Sequence, residues 1–209
     1  MPSRPRALSP TRTARRAERR EALLDAAVEV IRRDGPGASM EAMAAQAGVH
    51  KPILYRHFGD RDGLVAGLVA RFFTDLSERL GAALGTEGDP RTLLYDGIDS
   101  YISLIESDPA LYRFLMQHSG RPGGETVTTL ANQIGRRIAT LVGDRLAAAG
   151  GDTGAAEPWG YGIVGMVHLA GDWWVDNQTM SRERLVGYLT NLLWSGMTAG
   201  PVDDRPQPS

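Results

Sequence analysis

The 209-residue chain has no cysteine and a single lysine, Lys51. The missing cysteine excludes disulfides, thiolate metal sites and cysteine nucleophiles, and it suits a reducing compartment. No apolar run approaches the roughly 20 residues that a membrane-spanning helix needs. Residues 1–10 (MPSRPRALSP) also lack the apolar core of a signal peptide, so the expected location is the cytoplasm, with no membrane partner. Strand-like alternation and internal repeats are missing as well. So are an H-E-x-x-H pair, a phosphate-binding glycine loop and a serine elbow. No motif spacing joins His118, Asp172 and Glu157 into an acid–base site. The sequence therefore predicts no catalytic residue, no metal ligand and no cofactor.

What is present is an uneven distribution of charge. The net charge is −2, yet residues 1–62 hold 12 Arg or Lys against 8 Asp or Glu, while residues 63–209 hold 11 against 17. The first 20 residues alone carry seven Arg and one Glu. A basic end on an acidic body is the footprint of a protein that touches phosphate at one end only. A solvated helix face accounts for Arg32 and Arg33, but less well for the cluster Arg12, Arg15, Arg16, Arg19 and Arg20.

Periodicity predicts an all-α fold of about nine helices. Residues 1–11 read as a disordered basic arm rich in Pro, Ser and Arg. A helix from about 12 to 33 places Leu23, Leu24, Ala27, Val28 and Ile31 on one face, and Asp34-Gly35-Pro36-Gly37 stops it. Helices are expected at about 39–47 and 51–57. Gly59-Asp60 then offers a cap for a long helix over 61–84, whose face is Leu64, Leu68, Phe72, Leu76 and Leu80. Further helices are read at 90–107, 109–118, 126–149, 155–178 and 182–198, followed by a disordered tail at 200–209. This gives an N-terminal helical domain at 12–62 and a helical body at 63–199.

The segment SMEAMAAQAGVHKPILYRHFGDRDGL, residues 39–64, carries the most information. Ser39 is a good N-cap, and Gly48 can stop the first helix in a left-handed conformation without strain. Small Ala44 allows close crossing by the next helix, which carries His50, Lys51, Tyr55, Arg56 and His57 around Ile53, Leu54 and Phe58. Two helices joined by a short glycine turn form a helix-turn-helix, here over 39–58, whose second helix enters the DNA major groove. Leu54 and Phe58 should lock that helix inward. His50, Lys51, Ile53, Tyr55, Arg56 and His57 should lie on or near the outer side. Pro52 and Ile53 offer the groove only apolar contact, suited to a thymine methyl, which leaves His50 and Arg56 as hydrogen-bonding base readers. The competing reading of Tyr55 is a structural phenol; that of His57 is a cap at the helix end.

Residues Ala44, Ala47-Gly48-Val49, Leu54-Tyr55-Arg56-His57-Phe58 and Arg61 to Leu64, preceded by LLDAAVEVIRRDG, resemble the N-terminal domain of the TetR family of transcriptional regulators. His50 stands where that family commonly has a serine cap, and Pro52-Ile53 replaces small or hydroxyl residues. The resemblance implies phosphate contacts for Lys51 and Tyr55, with Ser39 and Arg61 gripping the DNA backbone on either side. It also implies a homodimer on a near-palindromic operator and an effector-binding body.

Glycines among the apolar residues of the last two helices point to close helix approach, either within a subunit or across an interface. The resemblance favours an interface, built from Gly160, Val164, Val167, Gly171, Leu185, Leu189, Leu192 and Leu193. Candidate effector-lining residues are Phe72, Tyr101, Ile105, Tyr112, Phe114, Met116, His118, Met166, His168 and Trp173, with plain core as the alternative for each. Few charges punctuate that set, so the expected effector is an apolar or amphipathic small molecule. The sequence thus predicts a ligand-released repressor. The alternatives are a constitutive regulator or activator without effector, or a small helical enzyme.

Overall fold

Helix starts and stops in this chain are set by residues that satisfy otherwise unpaired backbone groups. The structure, a computed structural model, describes residues 12–85, 88–118 and 127–198. The expected arm at 1–11, the loop at 121–124 and the tail at 200–209 lie outside them. Among the described residues there are nine α-helices and no strand: α1 (Arg12–Asp34), α2 (Met40–Gln46), α3 (Lys51–Phe58), α4 (Arg61–Leu84), α5 (Pro90–Ser107), α6 (Pro109–His118), α7 (Val127–Ala148), α8 (Ala156–Asn177) and α9 (Arg182–Thr198). The all-α class read from the sequence is the fold. Two short 3-10 turns that periodicity does not reveal, Gly35–Gly37 and Thr153–Ala155, precede α2 and α8.

The chain divides into two compact units, Met1–Val69 with Ala110–Gly124, and Ala70–Pro109 with Glu125–Ser209. The division falls inside α4, and α6 groups with the N-terminal helices.

In the first unit, α1 buries Leu23, Leu24, Ala27, Val28 and Ile31, the face that the periodicity marks, together with Ala26 and Val30. Ser39 caps α2, its Oγ accepting the Ala42 N–H at 3.1 Å. At the other end of α2, the Gly48 N–H donates to Ala45 O and the Val49 N–H to Ala44 O, both at 3.0 Å. This pair of bonds requires the left-handed φ of +63° that Gly48 adopts, where a Cβ would be strained. Ala44 is buried at the crossing, as are Leu54 and Phe58 on the inner face of α3. Asp60 caps α4 through its carboxylate, which accepts the Gly63 N–H at 2.7 Å.

In the second unit, Asp89 caps α5 by accepting the Thr92 N–H at 3.1 Å. Helix α5 packs on α9, and α8 packs on α7 while touching α5. Arg182, at the start of α9, bridges to α5, with Nε 3.0 Å from Asp99 Oδ1 and Nη1 2.9 Å from Glu106 Oε2. Burial works against its charge, but the two carboxylates outweigh that and hold its pKa above the ordinary guanidinium value. Trp174 closes the far end, donating from Nε1 to Met180 O at 2.8 Å. No helix among the described residues is long and apolar enough to cross a membrane.

Candidate nucleic-acid interface

Helix α3 begins at His50, which takes the N-cap backbone conformation without a side-chain cap bond, and Pro52 stands in its first turn. Proline costs nothing there, because the N–H it removes would be unpaired anyway. The ring of His50 is not spent on capping, and His50, Lys51, Pro52, Tyr55 and Arg56 are all exposed. Ile53 and His57 are half-buried at the edges of this face. Tyr55 retains 37% of its accessible surface, far more than a phenol packed between helices would. Ser39 is half-buried and already engaged as the cap of α2.

Lys51 pairs with Glu41 of α2, and its Nζ also sits 5.6 Å from the Tyr55 ring centroid. The hydrogen bond that Lys51 donates to Glu41 raises the pKa of Lys51 above its ordinary value, and the same bond holds Glu41 below its own. Both side chains are in solvent, so a phosphate can replace the carboxylate at little cost. The ion pair thereby keeps the only lysine of the chain beside the tyrosine that shares its predicted role.

Arg61, expected to grip the DNA backbone, makes internal contacts. Its Nη1 donates to the Ala38 carbonyl at 2.8 Å, its guanidinium lies 5.6 Å from the Phe114 ring centroid, and Nη2 is 3.5 Å from His118 Nε2. The residue is half-buried, and a partly desolvated guanidinium takes internal acceptors in preference to projecting towards DNA. Arg61 thus ties α4 to the residue before the α2 cap and to α6.

A basic surface that the motif does not include borders α3. Arg16, Arg19 and Arg20 of α1 act electrostatically on His57, together with Arg56. The Arg20 guanidinium covers the buried Phe58 ring at 5.1 Å. Glycines of α4 make room for this arrangement: a Cβ on Gly63 would stand 1.9 Å from Phe58 O, and one on Gly67 2.8 Å from Arg20 Nη2. The arginine cluster was visible in the sequence, but only the fold, which sets the Arg20 guanidinium over the Phe58 ring, places it here.

The residues read as effector-lining separate between the units. Tyr112, Phe114, Met116 and His118 belong to the first unit. There Phe114 and His118 stack at 4.3 Å, and His118 Nδ1 lies 2.8 Å from Phe114 O. In the second unit Phe72 and Ile105 are buried, and Tyr101 Oη lies 2.9 Å from His168 Nδ1 across α5 and α8. Met166 and Trp173 are instead exposed on the outside of α8.

The residues expected at an interface differ in their exposure. Gly160 packs inside the protomer, since a Cβ there would stand 2.7 Å from Ala139 N and from Gly135 O of α7. Gly171 likewise faces Ile102, Ile105 and Tyr101 of α5. Val167, Leu185, Leu189 and Leu193 are buried in the protomer core, leaving Val164 half-exposed and Leu192 exposed. The outward stripe consists of Met166, Leu169 and Trp173 on α8 with Tyr188 and Leu192 on α9, and Leu169 and Leu192 keep 69% and 61% of their surface. Sequence periodicity missed this split because α8 is apolar on nearly every side.

Comparison with known proteins matches this architecture. Residues 23–68 match the model described as bacterial regulatory proteins, tetR family, and residues 79–208 the model described as Tetracyclin repressor-like, C-terminal domain. An uncharacterized HTH-type transcriptional regulator of Mycobacterium tuberculosis is 38% identical over 183 residues, covering 87% of this chain and 78% of that protein. The HTH-type transcriptional activator FasR of Mycolicibacterium smegmatis is 28% identical over 195 residues, covering 90% and 86%. Among solved structures, a TetR-like regulator from Rhodococcus sp. RHA1 superposes with a TM-score of 0.63 at 25% identity, over 92% of this chain and 100% of that one. A tetR-family regulator from Streptomyces coelicolor gives 0.68 at 19% identity, over 88% and 82%. With an exposed recognition helix, an arginine-lined flank and both halves matched by family models, the chain belongs to the TetR family of DNA-binding transcriptional regulators.

Proposed function

We propose that this regulator is a ligand-released repressor that binds a near-palindromic operator as a homodimer. One observation carries the DNA-binding site: the outward face of α3 presents His50, Lys51, Pro52, Tyr55 and Arg56 beside the α1 arginines. Lys51 and Tyr55 grip phosphate, while Ile53 and Pro52 meet a thymine methyl and His50 and Arg56 read base edges. One short helix makes few base contacts, so specificity needs two heads on one site. The outer stripe of α8 and α9 supports the pairing. The effector is apolar or amphipathic and sits in the helical body, where the Tyr101–His168 pair is the polar anchor among Phe72 and Ile105. It can act on the heads through α4 only by preferring one of their arrangements.

The test begins with a 30-base-pair duplex that the protein selects from a random pool. Lys51→Ala and Tyr55→Ala should each weaken binding to it about tenfold or more, as loss of a phosphate contact costs roughly 1–2 kcal/mol. If both variants fold normally and bind with unchanged affinity, the site is wrong. The activator named among the relatives favours a second reading, in which bound protein raises transcription. Reporter output from the selected site, with and without the protein, decides the sign.

A further inference from the structure

We propose that the first turns of α1 and the C-terminal end of α3 form one DNA-phosphate site, in which the imidazole of His57 takes up a proton as the phosphate arrives. The inference rests on the DNA-binding reading above and extends it to a surface outside the helix-turn-helix.

The geometry is a cluster of cations around a half-buried ring. His57 lies at the last turn of α3, its ring tilted against that of Phe58 with centroids 6.4 Å apart. Arg20 covers the other ring of this pair at 5.1 Å. The charged groups acting on His57 are Arg56 of its own helix and Arg16, Arg19 and Arg20 of α1. The acids nearest in sequence are Glu18, Glu21, Asp60 and Asp62; of these, Glu21 pairs with Arg20 at 3.6 Å and Asp60 is the cap of α4. Arg16, Arg19 and Arg56 are exposed. Their planar guanidinium groups match the paired oxygens of a phosphodiester better than any compact cation does.

In the free protein, burial first and then these four arginines hold the pKa of His57 below the ordinary imidazole value. The C-terminal end of a helix ordinarily favours a charged imidazole, so the arginines and burial overcome that preference. A phosphodiester carries one negative charge and offers acceptor oxygens. Set among the arginines, it offsets their field and rewards an N–H donor, so its arrival raises the pKa of the ring. Binding then consumes protons between the depressed free value and the raised bound value. Affinity for DNA therefore increases as pH falls through that window and is flat outside it. A single coupled proton sets a ceiling of about tenfold per pH unit.

The experiment uses the full chain and the duplex selected above. Fluorescence anisotropy across pH 6 to 8 should show affinity rising about three- to tenfold towards the acid end. His57→Gln should abolish this slope, whereas His50→Gln should keep it, whatever either does to absolute affinity. A direct readout is the Cε1–H signal of His57 by NMR, whose titration midpoint should rise on adding duplex. Arg16→Gln with Arg19→Gln should raise that midpoint in the free protein. A slope that survives His57→Gln, or a midpoint unmoved by duplex, overturns the proposal. A wild-type affinity constant from pH 6 to 8 also overturns it while leaving the DNA-binding reading intact. A protein that selects no duplex at all overturns both.

Discussion

Arg61 shows how one residue can satisfy a family pattern while its side chain is engaged inside the protein. Its place after Phe58-Gly59-Asp60 fits a backbone-gripping cation, but its guanidinium is turned to Ala38 O, Phe114 and His118. The two roles make different predictions. A phosphate contact released by mutation lowers the salt slope of binding by about one unit. Arg61→Met, which keeps the apolar stem, should leave that slope unchanged. It should instead destabilise the fold by about 1–2 kcal/mol, through the lost charged hydrogen bond and ring contact. Thermal unfolding beside a salt titration of duplex binding separates the cases; a shallower slope with an unchanged melting temperature would restore the phosphate role. Other residues were legible without coordinates. Ser39, Gly48, Leu54 and Phe58 have roles dictated by backbone satisfaction and local periodicity. Two of the partners of Arg61, Phe114 and His118, come from α6, more than fifty residues away in sequence, and local pattern cannot supply them.

At the scale of elements, capping chemistry made helix limits readable from the residues at Ser39 and Asp60, whereas the facing of α8 was hidden. That helix carries apolar residues or glycine around most of its circumference, so sequence spacing marks no inner side. Glycine identity does not help either, because Gly160 and Gly171 touch neighbours while Gly162 and Gly165 face open space. The nature of each neighbour decides the cost of substitution. At Gly160 the obstacle is backbone, with Ala139 N at 2.7 Å and Ala139 Cα at 2.8 Å. At Gly171 it is the ends of Ile105 and Ile102 and the edge of Tyr101, at 2.9, 3.1 and 3.1 Å. Side-chain ends can yield where a helix backbone cannot, and alanine recovers up to about 1 kcal/mol of helix propensity in either place. Gly160→Ala should therefore destabilise by about 1–3 kcal/mol, as overpacking does, while Gly171→Ala should lie within about 1 kcal/mol of wild type. Chemical denaturation ranks the two, and the reverse order would show that the α7–α8 contact is looser than its geometry.

For the whole molecule, the basic end and acidic body suit a DNA-binding regulator, and the proposed homodimer requires a second, self-complementary surface. The exposed apolar residues Met166, Leu169 and Trp173 on α8 with Tyr188 and Leu192 on α9 form the surface proposed for self-association. Carboxylates there would be desolvated without partners in a dimer but would remain hydrated in a monomer. Leu169→Glu and Leu192→Glu should therefore shift the protein from dimer to monomer in sedimentation velocity, with helix content preserved because neither side chain supports the protomer core. The consequence for DNA follows from linkage. Two joined heads bind one duplex with an effective concentration that separate heads lack, so affinity for the selected duplex should fall at least about a hundredfold. Half as many phosphate contacts should also halve the slope of log affinity against log salt. If both variants stay dimeric, the subunits meet elsewhere. If they become monomers yet keep the wild-type salt slope, a single head already makes all the phosphate contacts, and the paired-head arrangement is wrong.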